Sequence, residues 1–465
     1  MEINFGDYHF VTKWYLIMAY DVLKWTLSMF KRNIEVELKK WKNDSTRKPL
    51  ILRGARQVGK TSVIRKFAKE NFENLFEINL ENKETYRKFE NVVSVSDFIT
   101  RLEVIENRKF TSSNSLLFID EIQESSDVMN LLRFFAEDRP DIYLITTGSL
   151  LEAKLNSDFR IPVGRIEYKF LYPLTFFEYL EATSNQILKK EIESMKLGDT
   201  NSLNDMASAE YKNYVYVGGM PAVVAKYVEK QNFFEIKEIL SRLYSTYIDD
   251  VSKYSKKHGE KKYLEWVVEM GPKYGGCLFR YEKFADSEYR SREMSDAFRV
   301  IEKIMILNQV SSVNSTNLPL NFKLKRPKKL IWLDVGIVNY FNNAYPEMIQ
   351  GIYAGRIMEQ IVGQTLITRF NQRRFELGYW SKDKDEGSAE VDFCFQYKDK
   401  IVGLEVKSGI GVKSRSLGNM VKEGKGKVIP VQVSWDKLEI GKNGVLSLPF
   451  YLLERIDEFL NFYNL

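Results

Sequence analysis

The chain is 465 residues long, 44% hydrophobic and 28% charged, with a formal net charge of +6. That composition excludes a disordered or fibrous chain and predicts roughly two to four globular domains. Two cysteines, Cys277 and Cys394, exclude a disulfide framework and match no metal motif, so a reducing, cytoplasmic setting is expected.

The mildly basic balance selects no partner by itself. The longest apolar stretch, residues 10–30, is broken by Lys13, Asp21 and Lys24. Those charges come before the roughly 18 residues a membrane span needs, so no membrane partner is expected. The stretch also lacks the basic start and clean apolar core of a signal peptide, and an amphipathic helix suits it better. Met29-Phe30-Lys31-Arg32 resembles a second start, so the first 28 residues read as an over-called start or a loosely attached extension.

Residues 32–45 predict an amphipathic helix with Ile34, Leu38 and Trp41 on its apolar stripe. Pro49 to Arg53 predicts a short buried strand. It runs into Gly54-Ala55-Arg56-Gln57-Val58-Gly59-Lys60-Thr61, which fits G-x-x-x-x-G-K-[ST], and Ser62 opens a helix with Val63, Ile64 and Phe67 on one face. That is the context a phosphate-binding loop requires. Glycines let backbone N–H groups converge on phosphates, and the helix N-terminus adds partial positive charge. Lys60 would reach the β- and γ-phosphates of ATP, and the Thr61 hydroxyl would ligate Mg²⁺.

Leu75 to Leu80 predicts a second strand and Phe98 to Asn107 a helix. Ser115 to Glu121 is an apolar run ending in two acids, which predicts a buried parallel strand. At its end Asp120 would sit near Mg²⁺ and Glu121 would orient or deprotonate the attacking water. A helix over Val128 to Glu137 and a strand from Ile142 follow. That strand's polar tip, Thr147-Gly148-Ser149, would place the Ser149 hydroxyl beside the γ-phosphate. Arg165, after a Pro/Gly turn, is a candidate charge-neutralising finger, and acting in trans it would need a homo-oligomer. Alternating strands and helices predict an α/β, doubly wound parallel sheet.

Past about residue 170 the pattern turns helical, interrupted at Gly218-Gly219-Met220-Pro221. Residues 279–334 suggest a winged helix: a first helix over Arg280 to Tyr289 and a second from Ser291 to Ile306 with Ser291 as its N-cap. The wing would come from Leu307 to Val313 and Lys323 to Trp332. The basic run Lys323 to Lys329 is a candidate edge for the phosphates of DNA or RNA. A helix from Arg356 to Phe370 then precedes strand-like Phe375 to Trp380, Glu390 to Gln396 and Lys400 to Lys407. The densest turn signals are Lys382 to Ser388 and Gly418 to Lys427.

In that last block Asp392 lies on one strand and Glu405-Val406-Lys407 on the next, so Glu405 and Lys407 share a strand face. Two carboxylates could hold Mg²⁺ while the lysine stabilises a charged transition state or activates water, with Glu359 completing the set from the preceding helix. The order of helix Glu, strand Asp, then Glu-x-Lys over residues 351–410 resembles the PD-(D/E)xK nuclease fold, with Glu390-Val391-Asp392 in place of Pro-Asp. Glu–Lys pairs also stabilise ordinary strand surfaces.

Several segments together resemble a prokaryotic AAA+-like group of ATP-binding proteins with an uncharacterised C-terminal domain. They are Ile51 to Thr61, Phe118-Ile119-Asp120-Glu121-Ile122-Gln123, Thr147 to Ser149, Pro173 to Leu180, Gly218 to Pro221 and Leu333-Asp334-Val335-Gly336. The resemblance spans about residues 29–415. It implies an ATPase core, a helical and winged-helix-like middle and a nuclease-like end, but no substrate. The expected division is an extension over 1–30, the P-loop ATPase over 31–170, a helical lid-like region over 171–260, a winged-helix-like region over 261–345 and a nuclease-like domain over 346–465. The expected function is a Mg²⁺-dependent ATPase coupled to the nuclease-like domain. The alternative is a nucleotide-gated regulatory module with an inactive nuclease fold.

Overall fold

The computed structural model describes residues 30–148, 164–199, 203–252, 254, 259–349, 351–370, 375–382, 389–409 and 415–464. The first 29 residues, with the expected amphipathic helix, lie outside this set, as do residues 383–388 of the turn expected over Lys382 to Ser388. No described helix is long and apolar enough to cross a membrane.

The amino-terminal part is a five-stranded sheet. Its strands are β1 (Leu50–Arg53), β2 (Asn74–Asn79), β3 (Ser115–Asp120), β4 (Tyr143–Thr147) and β5 (Glu167–Phe170). They lie in the order β2-β3-β4-β1-β5, every neighbour parallel. Helices α1 (Ile34–Asn43), α2 (Lys60–Asn71), α3 (Lys83–Lys88), α4 (Val95–Glu106) and α5 (Ser126–Asp138) accompany it. Alternate strand residues divide between two cores, as the period of two demands. Leu50, Leu52, Leu116 and Phe118 join Val63, Ile64 and Phe67 of α2 in one. Ile51, Leu117 and Ile119 join Phe98 and Leu102 of α4 and Leu132 of α5 in the other. A sheet covered on both faces needs strands apolar throughout, and β3 is buried at every residue.

A layer of helices follows: α6 (Phe176–Ala182), α7 (Gln186–Ser194), α8 (Asn204–Val217), α9 (Pro221–Lys230) and α10 (Phe233–Ser252). Thr175 and Glu178 close a capping box at the start of α6. After α11 (Lys261–Met270) come β6 (Leu278–Phe279), α12 (Ser291–Lys303), β7 (Leu307–Val313), β8 (Phe322–Lys323), β9 (Lys328–Trp332) and α13 (Val335–Phe341).

The helix expected over Arg280 to Tyr289 is absent; only a 3₁₀ turn, Phe284–Asp286, occurs there. Lys283, Ala285 and Asp286 take positive φ of 53°, 53° and 57°. Phe284 is buried against Phe279 and Phe298, ring centroids at 5.7 and 5.0 Å. Burying a Phe contributes about 1.5–3 kcal/mol. Helix propensity offers only about 0.7 kcal/mol or less per ordinary residue, so the anchor decides the path. Ser291 begins α12, but the N-cap is Arg290, with no side-chain capping bond.

The remaining elements are α14 (Gly351–Phe370), β10 (Gly378–Ser381), β11 (Glu390–Tyr397), β12 (Lys400–Val406), α15 (Arg415–Gly424), β13 (Val428–Ser434), β14 (Glu439–Ile440), β15 (Leu446–Pro449) and α16 (Ile456–Leu460). Of the turn signals over Gly418 to Lys427, only the later ones hold: residues 425 and 426 turn, with Gly426 at φ 87°, but the earlier ones do not. Gly418 lies within α15, whose Leu417 and Met420 are buried, and that apolar face holds the helix together.

The strands β6–β15 form one sheet, in the order β14-β15-β13-β12-β11-β10-β7-β9-β6, with β8 on β7. It crosses the boundary expected near residue 345, because β10 pairs in parallel with β7, Gly378 opposite Ser311. Helix α14 lies across the join. A Cβ on its Gly363 would stand 2.5 Å from Ile331 of β9 and 3.0 Å from Phe393 of β11, so glycine permits the close approach to both strands.

Three sequence motifs meet at one point. Leu174 N donates to Gly219 O at 2.6 Å. Gly219 N donates to Asp334 Oδ2 at 2.7 Å, and Gly336 N to Asp334 Oδ1 at 3.0 Å. A Cβ on Gly219 would lie 2.1 Å from Leu174 O, and one on Gly218, whose φ is +80°, 2.2 Å from Asp334 Oδ1.

Candidate functional site

The sheet order places β4 between β1 and β3, so the carboxyl ends of three neighbouring strands converge. The loop after β1 carries the phosphate-loop residues, with Gln57 at φ 65° and Gly59 at φ 97°. Such values suit a loop that points its N–H groups inward. A Cβ on Gly54 would stand 2.4 Å from Leu171 O, so glycine is required where the loop leaves the sheet.

Lys60 begins α2 and is 6% exposed. Its Nζ donates to Gly54 O and Ala55 O, both at 3.0 Å. Burial lowers its pKa, while the nearby carboxylates of Glu121 and Asp120 oppose that shift. Thr61 Oγ1 donates to Asp120 Oδ2 at 2.9 Å. The Thr147 hydroxyl of β4 donates to Asp120 Oδ1, and Glu121 N donates to both Asp120 Oδ1 (3.2 Å) and Thr147 Oγ1 (3.3 Å). Glu121 adopts φ 53°, an uncommon value that turns its side chain off the strand line, where Gln123 Nε2 donates to it. Gly54 to Ser62, Asp120 and Glu121 are therefore gathered in one place.

A cleft of about 340 Å³ opens there, lined by Gln57, Gly59 to Val63 and Glu121, and walled by Phe30, Arg32, Pro221, Ala222 and Ala225. Arg56 also faces it, held by ion pairs with Asp250 of α10 and with Glu81 at 2.7 Å. The Tyr247 hydroxyl donates to Arg56 O at 3.1 Å.

Sequence reasoning missed Arg32. It is buried and donates to Val58 O (3.0 Å), Tyr172 O (2.6 Å) and Glu178 Oε2 (3.0 Å). The signal was faint: a charged residue at the head of an amphipathic helix, with partners 26 to 146 positions away. Thr147, named only as part of a strand tip, carries the described hydroxyl beside Asp120; Ser149 lies outside the described residues.

Arg165 needs correction as a finger for its own pocket. It precedes β5, which pairs with β1 from Leu50 opposite Glu167, and so stands at the amino end of the sheet. The phosphate loop leaves from the carboxyl end. Arg165 Nε instead donates to Glu137 at the end of α5, at 2.7 Å.

At the far end of the chain, Glu359 and Asp392 do come together, but around a cation that sequence reasoning assigned to the surface. Lys329 of β9, 1% exposed, donates to Glu359 Oε2 at 2.6 Å and lies 3.3 Å from Asp392 Oδ1. Those carboxylates raise its pKa against the effect of burial. Asp392 Oδ2 accepts Val406 N at 2.8 Å, and Lys407 Nζ donates to Glu405 Oε1 at 2.6 Å. No group of three or more His, Cys, Asp or Glu side chains suited to a metal ion occurs among the described residues. The basic run is also not a uniform edge, since Lys329 is buried and Arg326 donates to Ser381 Oγ at 2.8 Å.

Three segments match family models: residues 46–180 an AAA domain, residues 208–347 a domain of unknown function (DUF8612) and residues 354–451 a second one (DUF4143). The chain is 23% identical over 451 residues to the uncharacterized protein MJ1637 of Methanocaldococcus jannaschii, covering 93% of this chain and 87% of that protein. Among solved structures, the RuvB Holliday junction branch migration motor of Thermotoga maritima is 17% identical at a TM-score of 0.27, covering 65% of this chain and 90% of that one. ORC1 of Aeropyrum pernix, solved in complex with DNA, is 12% identical at a TM-score of 0.30, covering 68% and 93%. Scores of that size carry no argument about this chain. The family match and the parallel sheet with its phosphate loop agree: residues 46–180 are an AAA-type P-loop ATPase domain.

Proposed function

We propose that the chain is a Mg²⁺-dependent ATP hydrolase whose AAA-type domain is coupled to a nuclease-like carboxy-terminal domain acting on nucleic acid. The observation that carries the hydrolase reading is the chain of hydrogen bonds from Thr61 through Asp120 to Thr147 and the Glu121 N–H. A hydroxyl and a carboxylate side by side suit Mg²⁺, which takes hard oxygen donors. When bound, Mg²⁺ would neutralise charge on the β- and γ-phosphates. Lys60 would give up its two loop carbonyls for phosphate oxygens, and Glu121 would orient water. Arg165 would reach a nucleotide only on another copy of the chain, which makes a homo-oligomer part of this reading. The working division keeps 31–170 and 171–260, while the segments 261–345 and 346–465 are joined by their shared sheet, with Glu359, Asp392, Glu405 and Lys407 as the nuclease-like set.

One observation favours the alternative, a nucleotide-gated regulatory module with an inactive nuclease fold. The Lys329 ammonium already lies against both Glu359 and Asp392, where a divalent cation would be expected.

ATP turnover measured with and without DNA and RNA separates the readings. Turnover that nucleic acid accelerates, and that Lys60→Ala and Glu121→Gln abolish, supports the hydrolase. Tight binding with slow turnover, indifferent to nucleic acid, supports the switch. Neither binding nor hydrolysis with Mg²⁺ defeats both. A nicking assay with Mg²⁺ or Mn²⁺, comparing wild type with Asp392→Ala and Lys407→Ala, tests cleavage; equal nicking by all three means contamination.

A further inference from the structure

A cleft of about 1370 Å³ lies on the second sheet, away from the nucleotide pocket. One wall is the face of α12 carrying Arg292, Ser295 and Arg299, spaced at helical intervals. The opposite wall is the turn of residues 324–327 between β8 and β9, with Ser381 and Lys382 at the end of β10. Small-molecule pockets occupy roughly 300–1,000 Å³, so this volume suits a segment of a polymer better than a metabolite.

The charge is lopsided. Seven cationic side chains line the cleft against three carboxylates, Glu282, Glu302 and Glu390. Arg280, Arg292 and Lys325 are exposed, and their side chains make no hydrogen bond or ion pair with another described residue. Arg326 is engaged with Ser381 and shapes the wall instead. On the floor Tyr281 is half-buried, its hydroxyl fixed to Gln309 Oε1 at 2.6 Å, while Tyr379 is buried and donates to Pro327 O at 2.6 Å, bracing the turn from beneath. Cations on two walls with a partly exposed aromatic ring, Tyr281, between them are the means by which proteins hold a strand by its phosphates and stack a base. An acidic peptide would use the cations and leave the Tyr281 ring idle. At one end stands Glu390, two residues before Asp392 and on the same face of β11.

We propose that this cleft binds the sugar-phosphate backbone of a nucleic-acid strand and leads it toward the Asp392 end of the sheet. The proposal rests on the nucleic-acid reading above and names its surface.

The test uses the full chain and labelled DNA and RNA strands of about 30 nucleotides. Anisotropy is read across roughly 50 to 200 mM salt. In the variant Arg280→Glu, Arg292→Glu, Lys325→Glu, binding is expected to weaken at least about tenfold. The slope of log affinity against log salt should become shallower by about 2–3. ATP turnover without nucleic acid and the thermal midpoint should stay unchanged. Lys39→Glu, Lys69→Glu, Lys190→Glu, an equal charge change on exposed residues elsewhere, should bind as wild type does.

Equal binding by wild type and the cleft variant would overturn the cleft and leave the nucleic-acid reading standing, as would equal weakening by the control variant. Wild type that turns over ATP but binds neither strand would overturn both. Displacement of the strand by polyglutamate at matched charge concentration would overturn the proposal in favour of an acidic protein partner.

Discussion

Asp334 accepts the backbone N–H of Gly219 across 115 positions of sequence, at 2.7 Å and with its side chain fully buried. The same carboxylate accepts Gly336 N and Ile337 N at the start of α13. Gly219 in turn binds Leu174, and two residues later α9 begins at Pro221, a wall of the nucleotide cleft. Asp334 thus fixes the wall of one site from the region that carries the other.

Asp334→Ala is expected to leave three buried N–H groups without their acceptor. Each unsatisfied group costs about 1–3 kcal/mol, so a loss of several kcal/mol in chemical denaturation is expected, together with weaker ATP binding. Gly219→Ala, whose Cβ would meet Leu174 O, should mimic the binding defect.

Burial pushes the Asp334 carboxyl up to about 6, against the three N–H bonds that favour its charged form. The native state then holds a proton that the unfolded chain releases near 4. Stability should therefore fall as pH rises from about 4 to about 6, by an order-of-magnitude 3 kcal/mol, and level off above. Denaturation midpoints across that window, compared with Asp334→Asn, check the sign. An equal slope in the variant would assign the effect to another group.

Arg32→Ala removes the cation from a buried pair with Glu178 and frees the carbonyls of Val58 and Tyr172. Breaking one side of such a pair costs about 3–5 kcal/mol. Because Val58 belongs to the phosphate loop, nucleotide affinity should fall along with the unfolding midpoint. Normal ATP affinity at full stability would show that the loop holds its shape without Arg32.

Glu121→Gln should keep ATP binding while turnover falls by about 10²–10⁴, the usual contribution of a positioned acid–base group. Titrating a fluorescent nucleotide beside a phosphate-release assay separates this variant from Lys60→Ala, which should lose affinity.

Lys329→Met leaves Glu359 and Asp392 facing each other without their cation. A destabilisation of about 3–5 kcal/mol at neutral pH is expected from thermal or chemical melts. If the variant instead gains metal-dependent nicking, the ammonium was suppressing a competent site.

The phosphate loop and its acid strand were legible because their information is local: eight consecutive residues after one strand, and two acids ending another. The helix over Arg280 to Tyr289 was misread because a local pattern lost to one buried ring, Phe284. Lys329 was misread because it closes a run of cations in sequence, while the partners that bury it lie 30 and 63 residues away. Gly218-Gly219 and Asp334 were noticed as motifs but carried no reason, since the contact that explains them exists only in three dimensions.

The pairing of β7 with β10 has a practical corollary for anyone dividing this chain. The gap between residues 347 and 354, where one family match ends and the next begins, invites a cut. A fragment ending there would present the flank of β7 that Gly378 to Trp380 otherwise cover, and the complementary fragment would present the bare flank of β10. Unpaired strand edges recruit other strands, so both halves should clump when expressed alone and recover solubility when expressed together. By the same logic, exchanging either half with that of a relative succeeds only if the two β-edges travel together.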